Sequence, residues 1–349
     1  MKKVDLLGWY GRKNVGDDAF QAVFSEWFKE HNVCFITPPN FTRPDADIVI
    51  LGGGAVCSSY YLNQIASPNA RRYAIGVDVE WKEEAHALAS YGFDYLSFRS
   101  QEDIATFARH VMSGPFVSTR GGASIADYIP DLAFSLTPTG KNVIGAYKGN
   151  QDKRVIAVFL TDYLMPSRDR DLYYFGPRAD QFCQGMAAVL DELAEKAEVI
   201  LMPCSTGEGG NDIRVNLHTA AFMRHAPTIV FDRLSPVQMI DFIAGCSATI
   251  CMRYHSHIFS IIAGTPFASI QFTKKVRTLI NDYAPEVSRE LVAVTRLDGY
   301  FEFDNTLEVV NTALVADSRN TEKAISLAYA EKCKKQVDKL KQMLLRNYL

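Results

Sequence analysis

Short, uninterrupted apolar runs recur along this chain, separated by stretches in which apolar positions return every three or four residues. Runs of the first kind suit strands buried on both faces, and stretches of the second kind suit helices packed along one face. In the first half the strands fall at residues 4–9, 33–37, 47–51, 73–77, 95–99 and 116–118. Helices are expected at 17–30, 80–91 and 102–110, each with acidic residues in its first turn. Residues 137–141 and 148–152 then break the pattern with Pro, Gly, Asn and Thr. The alternation resumes with strands at 154–160, 198–202, 228–231, 249–252 and 267–271, and helices at 181–196, 213–225, 236–245 and 257–263. A lysine-rich amphipathic helix over 322–347 closes the chain, and neither internal repeats nor low-complexity segments occur.

Strands alternating with helices imply parallel pairing with helices on both faces. The expected fold class is therefore α/β, with two Rossmann-like doubly wound domains facing a cleft. Residues 1–145 would form the N-terminal domain and 150–320 the C-terminal one, with the helix of 321–349 packing across their boundary. Ligands of such sheets gather at strand C-termini, where backbone N–H groups and helix dipoles converge.

Composition narrows the function classes. The 349 residues are 48% hydrophobic and 22% charged, with a formal net charge of -3. That balance gives no basic face for nucleic acid, and no apolar run reaches the length of an integral membrane segment. The start, Met1-Lys2-Lys3-Val4-Asp5, is broken by a carboxylate and reads as a first strand rather than a signal peptide. Seven cysteines without a Cys-x-x-Cys pair indicate neither a disulfide framework nor a zinc knuckle. A reduced, cytoplasmic protein is expected; its oligomeric state is left open, a homo-oligomer included.

The candidate chemistry sits at strand ends. Ile250-Cys251-Met252-Arg253-Tyr254-His255-Ser256-His257 joins an apolar strand to an apolar helix that ends at Gly264-Thr265-Pro266. Arg253 supplies a fixed positive charge there and a histidine a proton donor, a pairing that suits an anionic substrate whose reaction needs acid. The alternative is a strand-capping Arg and histidines that satisfy backbone carbonyls. His255 and His257 would point in different directions on a helix, so a two-histidine metal site is not expected.

Gly8-Trp9-Tyr10-Gly11-Arg12-Lys13-Asn14-Val15-Gly16-Asp17-Asp18 has glycines spaced like a phosphate-binding loop, but carboxylates where Lys-Ser/Thr should stand. Asn14, Asp17 and Asp18 beside Tyr10 better fit a hydroxylated ligand such as a sugar, or else a turn with an Asp helix cap. Gly52-Gly53-Gly54 ends a buried strand, where three glycines allow close approach of a ligand to the backbone, or form a tight turn. Arg99 and Arg120 close other strands, and either could pair with a carboxylate or phosphate. Residues 203–212, with Glu208, Asn211 and Asp212, form a hydroxyl- and amide-rich loop in which Asn211 or Asp212 could cap the next helix. Lys274 and Lys275 follow the strand after the Arg-His segment.

Taken in order, these motifs resemble the polysaccharide pyruvyl transferase family. They are Gly8-x-x-Gly11-x-x-Asn14-x-Gly16-Asp17-Asp18, Asp47-x-Val49-x-Leu51-Gly52-Gly53-Gly54, Phe98-Arg99-Ser100, Ile129-Pro130-Asp131-Leu132-Ala133-Phe134, Arg253-x-His255, Gly264-x-Pro266 and Lys275-Val276. The resemblance implies a GT-B-like pair of domains, phosphoenolpyruvate as donor substrate, and a saccharide or lipid-linked saccharide as acceptor. It implies no metal and no cofactor, and a location in the cytoplasm, peripheral to the membrane where the acceptor is lipid-linked. His255 would be the acid and Arg253 the anchor of the anionic donor. Arg99, Lys275 and Gly52 to Gly54 are assigned to the donor, and Asn14, Asp17, Asp18 and Tyr10 to the acceptor. The chain departs from the family at Phe272-Thr273-Lys274-Lys275, where an aromatic-Asp-Pro-Lys sequence is usual, and at Ser100, where an Asp commonly follows the Arg. The rival readings are a nucleotide-sugar glycosyltransferase, for which Glu208 could meet the ribose, and a non-catalytic sugar- or phosphate-binding relative.

Overall fold

The computed structural model describes residues 1–111, 126–150, 152–165, 172–207, 210–271, 273–283, 293–296 and 316–347. The expected strand at 116–118 and residues Arg120, Glu208 and Phe272 lie outside them. The chain divides into two compact units. Unit 1 comprises Met1–Arg12, Asp17–Leu136 and Glu331–Leu349; unit 2 comprises Lys13–Gly16 and Thr137–Ala330.

Unit 1 is built from β1 (Lys3–Leu7), α1 (Val15–Trp27), β2 (Asn32–Ile36), β3 (Ile48–Gly54), α2 (Ser59–Leu62), β4 (Arg71–Val77), α3 (Lys82–Tyr91), β5 (Tyr95–Phe98), α4 (Gln101–Val111) and β6 (Ala126–Tyr128). The first two residues of α1 belong to unit 2. The six strands pair in parallel in the order β2-β1-β3-β4-β5-β6. The direction of winding reverses between β1 and β3, so the switch point of this sheet lies beyond Leu7 and Gly54. Strand β3 is buried at every position, the signature of a central strand covered on both faces. Helix α1 buries Phe20, Val23, Phe24 and Trp27, a helical stripe, in a cluster with Leu6 and Ile50 of the sheet.

Unit 2 repeats the plan with β7 (Arg154–Phe159), α5 (Leu172–Ala194), β8 (Ala197–Leu201), a hairpin of β9 (Thr206–Gly207) and β10 (Gly210–Asn211), α6 (Asp212–Phe222), β11 (Thr228–Ile229), α7 (Pro236–Ala244), β12 (Ala248–Cys251), α8 (Tyr254–Ala263), β13 (Phe267–Gln271), α9 (Lys274–Tyr283) and β14 (Ala293–Arg296). Its parallel sheet runs β11-β8-β7-β12-β13-β14. Here winding reverses between β7 and β12, beyond Phe159 and Cys251. The β9–β10 hairpin, α9 and β14 are additions to the expected elements, and two expected helices have other bounds. Helix α5 starts upstream of 181 and carries Pro177 inside it. Helix α8 starts at Tyr254 rather than 257, with Arg253 in extended conformation at its N-cap.

The last helix, α10 (Ala316–Asn347), contributes to both units. In unit 2 the Ser326 hydroxyl lies 2.7 Å from the Tyr283 hydroxyl. In unit 1 Val337, Leu340 and Leu344 enter the cluster around Phe24 and Leu6. Among the described residues no helix is long and apolar enough to cross a membrane.

Candidate active site

The switch point of the second sheet collects the chemistry-bearing residues of unit 2. Asp162 follows the end of β7, and Arg253 follows the neighbouring β12. Asp212 is the first residue of α6. The Arg253 guanidinium donates from Nε to both Asp212 oxygens at 3.0 Å, and from Nη2 to Asp212 Oδ1 and, at 3.5 Å, to Asp162 Oδ1. Its carbon lies 4.8 Å from the Tyr163 ring centroid. Burial opposes its charge, but Asp212 more than compensates and holds Arg253 more firmly protonated than usual. Nη1 makes no hydrogen bond among the described residues.

Asp212 was one of two candidate helix caps, and the structure separates their tasks. The Asn211 side chain caps α6 by accepting from Ile213 N at 3.2 Å. Asp212 is thereby left to accept from Cys204 N at 3.0 Å and Ser205 N at 2.9 Å, and to fix Arg253. Asp162 and Tyr163 carried no signal in the sequence beyond their place after an apolar strand; Asp212 had one, as the second cap-capable residue where one suffices.

The two histidines divide in the same way. His257 is fully buried; burial lowers its pKa to about 4, so it is neutral near pH 7. Its Nδ1 lies 2.8 Å from the Arg253 carbonyl oxygen, which can only accept, so Nδ1 carries the proton and Nε2 accepts from the Ser269 hydroxyl at 2.8 Å. The same carbonyl accepts from Ser256 N at 3.1 Å and Ser256 Oγ at 2.6 Å. His257 is thus a structural clamp on the Arg253 turn. His255 is only partly buried. Its ring is edge-on to Tyr254 at 5.2 Å and tilted against Phe259 at 5.9 Å. Lys275, in the first turn of α9, places its ammonium 5.8 Å from the Tyr254 ring centroid. Unit 2 therefore groups Arg253, His255 and Lys275 around the first turn of α8.

Asn14 joins the same unit. Residues Lys13–Gly16 pair antiparallel with the loop after β8: Asn14 bridges Ser205, Val15 N donates to Cys204 O at 2.9 Å, and Thr206 N donates to Lys13 O at 3.0 Å. Asn14 Oδ1 accepts from Gly16 N at 3.0 Å. Nothing local in the sequence marked this segment as part of the second unit.

The remaining predicted residues lie in unit 1, where each has a structural task. Tyr10 is a core residue, 5% exposed, whose hydroxyl donates to Gly52 O at 2.9 Å; burial and the Asp17 charge hold its phenol protonated. It does not present a face to a sugar. Gly52 and Gly53 are glycines because aromatic rings occupy the space of their side chains. A Cβ on Gly52 would sit 2.6 Å from Phe24, and one on Gly53 2.7 Å from Phe20 Cδ1. Gly54 takes φ +84, and its carbonyl accepts from Val56 N and Asp78 N, both at 3.0 Å. The triglycine therefore answers to packing and turn geometry. Arg99 is buried and held by Asp78 through Nε and Nη2 and by Asp131, 3.1 Å from Nη1. All three guanidinium nitrogens meet carboxylates, which gives Arg99 a structural task in unit 1. Asp17 and Asp18 stand in the first turn of α1, where carboxylates complement the helix dipole.

No group of three or more His, Cys, Asp or Glu side chains suited to a metal ion occurs among the described residues.

The polysaccharide pyruvyl transferase family profile matches residues 14–271, a span that takes in Asn14, Gly16, Arg253 and His255. Comparison with curated protein sequences gives no match. Among solved structures, WaaG, a glycosyltransferase involved in lipopolysaccharide biosynthesis, is similar at TM-score 0.58 and 13% identity, over 99% of this chain and all of its own (100%). The UDP-GlcNAc 2-epimerase of Neisseria meningitidis, solved with UDP-GlcNAc bound, is similar at TM-score 0.60 and 10% identity, over 99% and 100% of the two chains. A putative UDP-N-acetylglucosamine 2-epimerase of Listeria monocytogenes gives TM-score 0.60 and 10% identity, covering 98% and 95%. At these identities the likeness is one of fold alone: two units, each built on a parallel sheet.

Proposed function

We propose that this chain, which belongs to the polysaccharide pyruvyl transferase family, moves the pyruvate unit of phosphoenolpyruvate onto two hydroxyls of a saccharide as a cyclic ketal. The observation that carries this reading is the first turn of α8 at the switch point of the second sheet, where Arg253 and His255 stand two residues apart. Binding an anion there would need Arg253; only a reaction that consumes a proton would need His255 as well.

In the proposed reaction protonated His255 gives its proton to the methylene carbon of the enol. The adjacent carbon, still bearing phosphate, becomes oxocarbenium-like. One sugar hydroxyl attacks it and returns its proton to His255. The second hydroxyl displaces phosphate, which leaves with the second hydroxyl proton, and the ketal closes with no net redox change. General acid catalysis of this kind contributes about 10²–10⁴-fold. The donor carries negative charge at both ends, so placement of cations supplies much of the remaining stabilisation. Lys275, the N-terminal dipole of α8 and the outer Nη1 of Arg253 are the groups of unit 2 suited to it. Asp212 and Asp162 keep the guanidinium in one orientation, at the cost of neutralising part of its charge. Asn14 is the acceptor-side candidate on the same unit. We further propose that the acceptor is a free or lipid-linked saccharide met on the cytoplasmic side of a membrane.

The test is calorimetric titration with phosphoenolpyruvate, UDP-sugars serving as control, on wild type and Arg253→Ala, followed by ketal formation with wild type and His255→Ala. Donor binding lost in the first variant and turnover reduced about 10²–10⁴-fold in the second support the proposal. Binding of a UDP-sugar in place of phosphoenolpyruvate would move the assignment to a nucleotide-sugar glycosyltransferase.

A further inference from the structure

We infer that Gly16 is a positioning residue for His255: the imidazole occupies the volume in which any other residue at position 16 would place its side chain. The functional half of this inference rests on the proposed role of His255; the geometric half stands by itself. A Cβ built on Gly16 would overlap the His255 Nδ1 atom and lie 2.6 Å from both Cε1 and Cγ. The backbone of Gly16 does not take a positive φ, so the glycine is required by proximity alone and not by backbone conformation. Of the two, the ring is the part that would have to move. Gly16 is tied down by Asn14 Oδ1 at 3.0 Å, and the residues before it are held by the backbone pairing of Lys13, Asn14 and Val15 with Cys204, Ser205 and Thr206.

The imidazole has little room to retreat. Tyr254 and Phe259 stand against it, and the start of α8 is fixed by the three-fold clamp on the Arg253 carbonyl. The glycine-rich segment between β1 and α1 thereby acquires a task different from holding a phosphate. It is a backbone wall that sets the position of the proton donor. A displacement of about 1 Å in such a group costs on the order of 10²-fold in turnover.

The experiment is a double-mutant cycle of Gly16→Ala and His255→Ala, read by thermal melting and by donor-saturated turnover. In the wild-type background Gly16→Ala is expected to lower Tm by several degrees and kcat about 10²-fold, with KM for phosphoenolpyruvate little changed because Arg253 and Lys275 are untouched. In the His255→Ala background the added methyl should cost no further stability, since the space it needs is vacant. Equal loss of Tm in both backgrounds would overturn the inference, as would undiminished kcat in Gly16→Ala alongside an inactive His255→Ala. Should Gly16→Ala fail to fold, recovery of folding in the double variant supports the contact and continued failure refutes it. An active His255→Ala would instead remove the proposed chemistry, while the melting cycle still reports on the contact.

Discussion

Each unit contains a buried arginine just beyond a parallel strand, gripped by two aspartates, and the proposed function assigns the two different ends. Arg99 follows β5 and meets Asp78 and Asp131; Arg253 follows β12 and meets Asp212 and Asp162. The ion pairs alone do not separate them. Position in the sheet does: β12 borders the point where the second sheet reverses its winding, whereas β5 lies well away from the reversal between β1 and β3. The next residues differ too. After Arg253 comes a helical turn bearing His255, with Lys275 close by; after Arg99 comes Ser100, whose hydroxyl donates to Asp103 at 2.5 Å and caps its N–H at 3.0 Å. An arginine among carboxylates is a structural unit by default, and becomes part of a site when the topology leaves an open crevice beside it.

The largest expected effects come from cutting each cluster at its centre. Arg99→Met and Arg253→Met each strand two buried aspartates, which costs about 3–5 kcal/mol. Both should lower the denaturant midpoint. Only Arg253→Met should also weaken phosphoenolpyruvate binding by the molecules that remain folded, by about 10–100-fold for the loss of charge-assisted hydrogen bonds. Calorimetry under conditions where both variants are folded separates the two. If folded Arg99→Met loses donor binding as well, the contrast between the clusters collapses and Arg99 belongs to the donor set.

How far the sequence could show this contrast depends on the range of the interactions involved. The two parallel sheets and the Arg253–His255 junction were legible because apolar runs and helix periodicity are local signals. Tyr10 and the triglycine were ambiguous because a Tyr with a buried hydroxyl, or a glycine beside Phe20 or Phe24, looks in sequence like an open binding surface. Asp212 was visible only as a cap, since its arginine lies 41 positions away. The membership of Lys13–Gly16 in unit 2 was illegible for the same reason. It rests on backbone bonds to residues 204–206, which no pattern around residue 14 can announce.

A smaller effect sharpens the comparison through pH. Burial depresses His257 from 6.5 to about 4, so the fold prefers it neutral. Its contribution is complete above about 6.5 and is lost as pH falls toward 4, about 3 kcal/mol over the window. In unit 1 burial, with Asp78 adding to it, raises Asp103 from 3.8 to about 6. The folded state there favours the protonated acid, so the sign is opposite: a penalty grows as pH rises from 3.8 to about 6. Melting curves across pH 4–7 should therefore flatten at the acid end in His257→Gln, whereas Asp103→Asn should gain stability near pH 7. Unchanged slopes in both variants would mean that neither buried group governs the response of its unit.

The smallest effect tests whether the Arg253 cluster is tuned beyond stability. A Cβ on Gly210 would lie 3.1 Å from Arg253 Nη2, 3.4 Å from Asp162 Oδ1 and 3.7 Å from Ser205 Oγ. Gly210 has no positive φ, so alanine is allowed by its backbone. The methyl would press on a guanidinium that can turn only slightly, because Nε is held by both oxygens of Asp212. A shift of a few tenths of an ångström breaks no ion pair, so Gly210→Ala should stay within about 1 kcal/mol of wild type in stability. The outward Nη1 turns with the rest of the planar group, however, and a bidentate or in-plane contact to an anion is sensitive to that angle. A several-fold rise in the donor dissociation constant with an unaltered melting temperature would mark Arg253 as a group whose orientation matters to a ligand. An unaltered dissociation constant would leave the cluster of unit 2 doing no more than its counterpart around Arg99, with the donor held by Lys275 and the α8 terminus instead.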